Sequence, residues 1–292
     1  MQLSFYKLQA YGSDFVLLSA MSQDLPPEDD KSSLAKTILD RRTGVGGKGL
    51  MLVYPGEDRS LRLHYYNKRG NSEAPPPDAL LCVSRYCFDS GFLANDHLHL
   101  HSQVHGNDEE IQIRIIDSNN FRVPLGLLSS FKDEDPIVEN PEGEYNRTLS
   151  VDGRSLVITP IFAGEQFYIH FSTQPQKNKK KFFPLLYRSS TDLRGDTPFP
   201  LFASVYARDE IFLPQHFAKD RPDVLFACGA AVSAAVVNGF SDREVVCYWG
   251  PEKMYVEWAH HNNALYITGS AGYTFTGEYY FGNEEIEHGP AI

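Results

Sequence analysis

Short apolar or alternating runs, cut by Gly, Asp and Asn, dominate the chain. "LSFYKLQA", "FVLLSA", "LMLVYP" and "LRLHYYN" come first, followed by "HLHLHSQVH", "IQIRIID", "FRVPLG", "SLVITPIFAG" and "FYIHFST". "EVVCYWG", "KMYVEW", "ALYITGS" and "GYTFTGEYYF" close the series. Runs of this length and period predict strands. Three stretches predict helices. Residues 31–40 run into "DRRTGVGG", a helix followed by a glycine stop. Residues 79–89 form the second, entered through "SEAPPPD", and residues 229–238, "GAAVSAAVVN", form the third. An apolar helix with little polar face has to be enclosed. The order of elements occurs twice: strands, one apolar helix entered from a loop, more strands. It fits two halves, each a sheet wrapped around one central helix. Asp, Glu, Pro and Asn cluster at 125–144 and mark the boundary. The expected lobes are 1–125, joined by a C-terminal strand at about 276–292, and 126–275.

Composition narrows the partners. The chain has 292 residues, 42% hydrophobic and 22% charged, enough for a substantial core. A net charge of −11 argues against nucleic acid and anionic membrane as partners. The one basic run, "KNKKK" at 177–181, is expected to be a solvated loop. The opening "MQLSFYKLQAYGSDF" lacks the basic-then-apolar order of a signal peptide, and the least polar stretch, 224–240, is too short to span a bilayer. Four cysteines in a chain of this length do not make a disulfide framework, so free thiols and a cytoplasmic location are expected.

Several motifs bear on chemistry. "GVGGKG" at 44–49 is similar to a phosphate loop, but Gly49 stands where such a loop needs Ser or Thr after its lysine, so a turn is expected. His97, His99 and His101 alternate along one strand face; without accompanying Cys or acidic residues at metal spacing, no metal is assigned. "LFACGAAVSAAVV" puts Cys228 at the end of an apolar run and immediately before the expected third helix. Free N–H groups there would favour thiolate and could hold a carboxylate, whereas a cysteine among apolar neighbours also fits simple core filling.

The same stretches resemble the diaminopimelate epimerases and related cofactor-independent amino-acid racemases. "FYKLQAYGSDFVLLSA" is similar to that family's KxxGxGNDFVxxD, "ILDRRTGVGGKGLMLV" to CDRxxGVGADGLLLV, and "LHYYNKRGNSEA" to xxxYNADGxEAxMCGNG. "LFACGAAVSAAVV" resembles ETLACGTGACAAV, and "MYVEWAHHNNALYITGSAGYTFTGE" resembles LxIEWxxxxHVYMTGPAxxVFxGE. The resemblance runs in order over nearly the whole chain. It implies an α/β (α+β) chain of two pseudo-symmetric lobes, each a curled, mostly antiparallel sheet wrapped around a central helix, with the site at the N-termini of both central helices, and two cysteines that pass a proton through the substrate's α-carbon without a cofactor. It also implies a place in amino-acid metabolism, in lysine biosynthesis.

Carried over residue by residue, the resemblance gives substrate-binding positions to Asn67, Gly229, Ala230, Ser13, Gln174 and Ser204, and the second cysteine to Cys228. The first catalytic cysteine falls on Pro76, and the family's GNG on Pro77-Asp78-Ala79. Its asparagines become Ser13 and Gln174, with a third falling near Ser204, and its Glu-Arg pair becomes Lys219-Asp220. Proline has no ionisable group, so Pro76 is no base. Two expectations follow. One is a one-base isomerase acting on an amino-acid-like substrate, with Cys228 as base or nucleophile and Asp78 as acid, although Asp78 also fits a plain helix cap. The other is a catalytically inactive homologue that binds a small amino-acid-like or carboxylate ligand, or serves as an interaction subunit, with the prolines closing the old pocket. Exposed edge strands of curled sheets fit a homodimer.

Overall fold

The computed structural model describes residues 1–57, 60–92, 96–104, 107–127, 145–191, 198–214 and 223–282. Among them are sixteen strands and four helices. The chain divides into two compact units, Met1–Phe121 with Ser270–Ile292, and Arg122–Gly269. The stretches 128–144 and 283–292, on which the expected boundary and the end of the C-terminal strand partly fall, lie outside the described residues.

In the first unit the strands are β1 (Gln2–Ala10), β2 (Ser13–Ser19), β3 (Gly49–Pro55), β4 (Leu61–Asn67), β5 (His97–Val104) and β6 (Asn107–Ile115). They are hydrogen-bonded in that order, and the late strand β16 (Gly272–Tyr280) pairs antiparallel with β1 at the far edge. Most neighbours are antiparallel, but β2–β3 and β4–β5 are parallel. A parallel step cannot be closed by a tight turn and needs a crossover, usually a helix. Each parallel step has one: α1 (Glu28–Ile38) connects β2 to β3, and α2 (Pro77–Asp89) connects β4 to β5.

The second unit uses the same device. Its strand order is β7 (Phe121–Leu127), β15 (Ala264–Gly269), β14 (Glu252–Trp258), β13 (Glu244–Trp249), β12 (Glu210–Leu213), β11 (Phe199–Ala207), β10 (Glu165–Phe171), β9 (Arg154–Ala163) and β8 (Arg147–Val151). Its parallel steps, β10–β11 and β12–β13, are crossed by α3 (Pro175–Thr191) and α4 (Val224–Val237). The order strand–strand–helix–strand–strand–helix–strand–strand thus occurs once in each unit.

Burial separates the helices into two kinds. Helix α1 buries a single stripe, Lys31, Leu34, Ala35 and Ile38. Helices α2 and α4 are buried around most of their circumference, as expected of apolar helices enclosed by a curled sheet. Helix α4 packs on β9 to β15 and α2 on β1 to β3, with Phe88 of α2 edge-on to Phe121. Trp249, Trp258, Phe167 and Phe202 are among the large fully buried side chains of the second unit, and Phe15 among those of the first.

Two expected elements are corrected. The basic run "KNKKK" lies in helix α3, not in a loop; the lysines hide a helical period carried by the apolar residues that follow. Helix α4 begins at Val224 with Asp223 as N-cap, its carboxylate accepting from Leu225 N–H at 3.0 Å, well upstream of the expected start at 229. A buried apolar run such as "VLFAC" has the same appearance as a strand or as a helix.

The "GVGGKG" segment is a turn that locks α1 to β3. Gly44 N–H donates to Asp40 O, Gly46 N–H to Ile38 O and Lys48 N–H to Asp14 O, at 2.9, 2.9 and 2.7 Å. A β-carbon on Gly44 would lie 2.7 Å from the Ile38 carbonyl oxygen, in rigid backbone. Gly44→Ala should therefore lower the unfolding free energy by about 1–3 kcal/mol, the range for forced overpacking. Gly272→Ala, whose nearest contact would be a side-chain atom at 3.7 Å, should change it by less than about 0.5 kcal/mol. Denaturant unfolding of both variants checks the pair.

Candidate functional site

The first cluster forms at the entrance to α2. The N-cap is Pro76, with extended backbone (φ −69°, ψ 160°) and no side-chain cap, and Pro77 is the first helical residue. Asp78 is therefore not the N-cap but sits in the first helical turn. Pro76 and Pro77 remove two N–H donors from a helix end that otherwise offers them. The Asp78 carboxylate turns back on the helix, accepting from Ala79 N–H at 3.0 Å. Its side chain is only 2% exposed, and a buried carboxylate needs a cation. Lys48 provides it: Nζ lies 2.6 Å from Asp78 Oδ2 and 3.4 Å from Ser13 Oγ. Lys48 thus brings two expected site residues, Ser13 and Asp78, to one point.

A second ion pair supports the same corner. Asp14 pairs with buried Lys7 at 2.8 Å and with Arg41, while Lys7 also donates to Gly46 O. Burial would raise the Asp14 carboxyl, but the hydrogen bonds from Arg41 and Lys7 outweigh it and hold the group below its usual range.

Asn67 lies at the end of β4 in an open cleft of about 760 Å³ that Lys48 also lines. Its side chain is engaged locally: Oδ1 accepts from Arg69 N–H (2.8 Å) and Asn71 N–H (3.1 Å), and Nδ2 donates to Glu73. Asn67 organises the turn after β4 at the wall of that cleft.

The second cluster lies in α4. Cys228 is the fifth residue of the helix rather than the residue before it. Ala227 N–H already donates to Asp223 O at 2.9 Å, so the intrahelical ladder begins upstream. Gly229 and Ala230 are buried and lie still deeper in the helix, so their N–H groups are ladder donors and not free ones. Cys228 is 0% exposed. Burial pushes its thiol well up, and a hydrogen bond with Cys247 adds to the effect. Of the two expectations for Cys228, this matches core filling and not the thiolate. Gly229 has a packing role: a β-carbon there would lie 2.9 Å from Leu125 Cδ1 of β7.

The other expected positions stand apart. Ser204 is buried in β11 opposite Phe212 of β12. Gln174 is exposed just before α3, where its carbonyl accepts from Asn178 N–H at 3.1 Å. Lys219 and Asp220 lie outside the described residues. His99 and His101 face Glu110 and Asp108, and His97 faces Asp96; among the described residues no group of three or more His, Cys, Asp or Glu is placed to hold a metal ion.

Comparison with known proteins fits this architecture. No protein-family model matches the chain. A diaminopimelate epimerase from Heliobacterium modesticaldum is 26% identical over 295 residues, covering 94% of this chain and 99% of that protein. One from Moorella thermoacetica is 25% identical over 295 residues, covering 95% and 99%. The chain is a homologue of the diaminopimelate epimerases. Among solved structures, a phenazine biosynthesis protein of the PhzF family from Enterococcus faecalis superposes with a TM-score of 0.61 at 14% identity, covering 96% of this chain and 100% of that one. A hydroxyproline epimerase from Agrobacterium vitis with bound trans-4-OH-L-proline gives 0.58 at 9% identity, covering 95% and 92%. The chain shares the fold of these structures. Among the described residues no helix is long and apolar enough to cross a membrane.

Lys48 is the site residue that sequence reasoning passed over. The signal was the lysine of "GVGGKG", set aside with the phosphate-loop reading; only the fold brings it beside Asp78.

Two outcomes are expected. All four cysteines are buried and free, so a colourless-to-yellow disulfide reagent should label none within minutes in native protein and all after unfolding in guanidinium; rapid native labelling of Cys228 would contradict its burial. Because the folded Asp14 carboxyl is depressed, its stabilisation is complete above the unfolded value near pH 4 and is lost as pH falls through the lower folded value. Asp14→Asn should flatten the acid limb of the stability–pH curve, read by urea unfolding between about pH 2 and pH 6.

Proposed function

We propose that this epimerase homologue does not run two-base stereoinversion and acts by binding a small anionic ligand. The observation that carries the reading is Pro76 at the N-cap of α2, the position where the resemblance expects the first catalytic cysteine. Inversion through an α-carbon requires a proton acceptor on one face and a donor on the other. A proline ring is neither. The nearest acid, Asp78, is committed to Lys48. Cys228, at the position of the second cysteine, is sealed from solvent and its thiol is pushed away from the nucleophilic thiolate form. The curated relatives are named diaminopimelate epimerase, which supports an amino-acid-like or carboxylate ligand as the ancestral one.

The Lys48–Asp78 pair favours one second reading. A lysine and a carboxylate 2.6 Å apart can exchange a proton, so a one-base isomerase with Asp78 as the acid–base group is chemically feasible. In that reading Cys228 is packing rather than base.

Solvent-deuterium exchange over a panel of L- and D-amino acids, including LL- and meso-diaminopimelate, separates the readings. The expected result is no α-deuterium incorporation with any compound, for the native chain and for Cys228→Ala alike. Exchange abolished by Asp78→Asn would favour the one-base isomerase, and brisk interconversion of LL- and meso-diaminopimelate would overturn both.

A further inference from the structure

The cleft beside Asn67 is cationic in an otherwise acidic chain. Lys36, Arg41, Lys48, Lys68 and Arg69 line it, with only Asp40 and Glu73 opposing them, although the chain as a whole carries −11. Both acids are already engaged. Asp40 accepts from the N–H groups of Arg42 and Thr43, each at 2.8 Å, and from the Thr43 hydroxyl at 2.9 Å, and these bonds hold its carboxyl below the usual range. Glu73 accepts from Asn67 Nδ2. Arg41 and Lys48 are tied to Asp14 and Asp78. Among the described residues Lys36, Lys68 and Arg69 take part in no ion pair.

These three cations are held together by backbone. The turn after β4 is fixed by Asn67 N–H donating to Asn71 O (3.0 Å) and Gly70 N–H to Asn67 O (2.9 Å). Gly70 has φ +78°, and a β-carbon there would lie 2.6 Å from Ser32 O and 2.8 Å from Lys36 Cε. The turn carrying Lys68 and Arg69 therefore rests directly on the last turns of α1, against the stem of Lys36. Like charges clustered on rigid elements repel one another and create a local positive potential, which an anion relieves. Lysine offers point charges and arginine a planar fork, the combination that suits phosphate oxygens. Three cations without partners match a di- or trianion better than a monocarboxylate. A cleft of about 760 Å³ is large enough for a small molecule carrying such a group.

We propose that this cleft binds a small phosphorylated molecule, with its phosphate or diphosphate held by Lys36, Lys68 and Arg69 and the remainder lying toward Asn67 and Lys48. The inference rests on the binding half of the function proposed above and not on the loss of proton transfer: calorimetry reads the first and solvent exchange the second, so either can fail alone.

The test is isothermal titration of the full chain with inorganic pyrophosphate, at about 20 mM and at about 300 mM salt. Saturable one-site binding is expected, at least tenfold weaker at the higher salt. Lys68→Gln/Arg69→Gln should weaken it at least tenfold and Lys36→Gln by severalfold, while Lys177→Gln/Lys180→Gln on exposed positions of α3 should leave it unchanged. The proposal is overturned if the native chain shows no saturable binding, if the Lys68/Arg69 variant binds as the native chain does, if the α3 variant weakens binding equally, or if succinate binds as tightly as pyrophosphate.

Discussion

A carboxylate removed from water has to be neutralised or partnered, and the first unit is organised around one that is partnered. Asp78 enters α2 behind three prolines, with its side chain 2% exposed, and Lys48 reaches it from the turn that precedes β3. Lys48 can do so only because that turn is fixed: Lys7 and Asp14 anchor it from β1 and β2, and glycines at 44 and 49 admit close approach to α1 and to the ring of Tyr65. The Lys48 side chain is 37% exposed, so part of its charge is solvated while its partner's is not. The pair supplies the positive counterpart that free helix N–H groups would otherwise provide, which is why a proline-rich entrance is tolerated at the end of a buried helix.

The second unit satisfies the corresponding demand in the ordinary way. Asp223 caps α4 with its own side chain, and the apolar run that follows is free to fill the centre of a curled sheet. Cys228 then behaves as a small hydrophobe, hydrogen-bonded to Cys247 and raised in pKa by burial. The two central helices thus come from the same structural repeat but present different chemistry: one entrance holds a lysine–carboxylate pair, the other a simple cap with its thiol a full turn inside. Neither presents an accessible proton-transfer group of the thiol type.

Much of this architecture was legible in the sequence. Alternation and turn residues identified the strands, and the repeated strand–helix–strand order indicated two similar units, because period and punctuation are local properties. The entry of α2 lies two residues earlier than expected, at Pro77 with Pro76 as N-cap rather than Asp78, because a proline at the first helical position looks locally like a break although the helix tolerates it there. What stayed hidden depended on tertiary contacts. The start of α4 was misplaced because a run buried on all sides has no period to read. Helix α3 was masked by a lysine run whose charges say nothing about backbone. Lys48 lay in a motif that could be dismissed locally, and its partnership with Asp78 exists only across the sheet, thirty residues apart in sequence. Asn67 was expected to contact a ligand, and the fold shows its side chain occupied by its own turn.

The central claim is that Asp78 is held as the charged partner of Lys48, and a double-mutant cycle on unfolding free energy tests it most directly. Asp78→Asn, Lys48→Met and the double variant would be compared with the native chain at pH 7. Breaking a fully buried pair costs roughly 3–5 kcal/mol, and somewhat less here because Lys48 reaches solvent. The account predicts that Lys48→Met is strongly destabilising, that the double variant is no worse than either single one, and that the coupling energy exceeds about 1 kcal/mol. Additive effects, with coupling below about 0.5 kcal/mol, would contradict it and leave Asp78 available for chemistry.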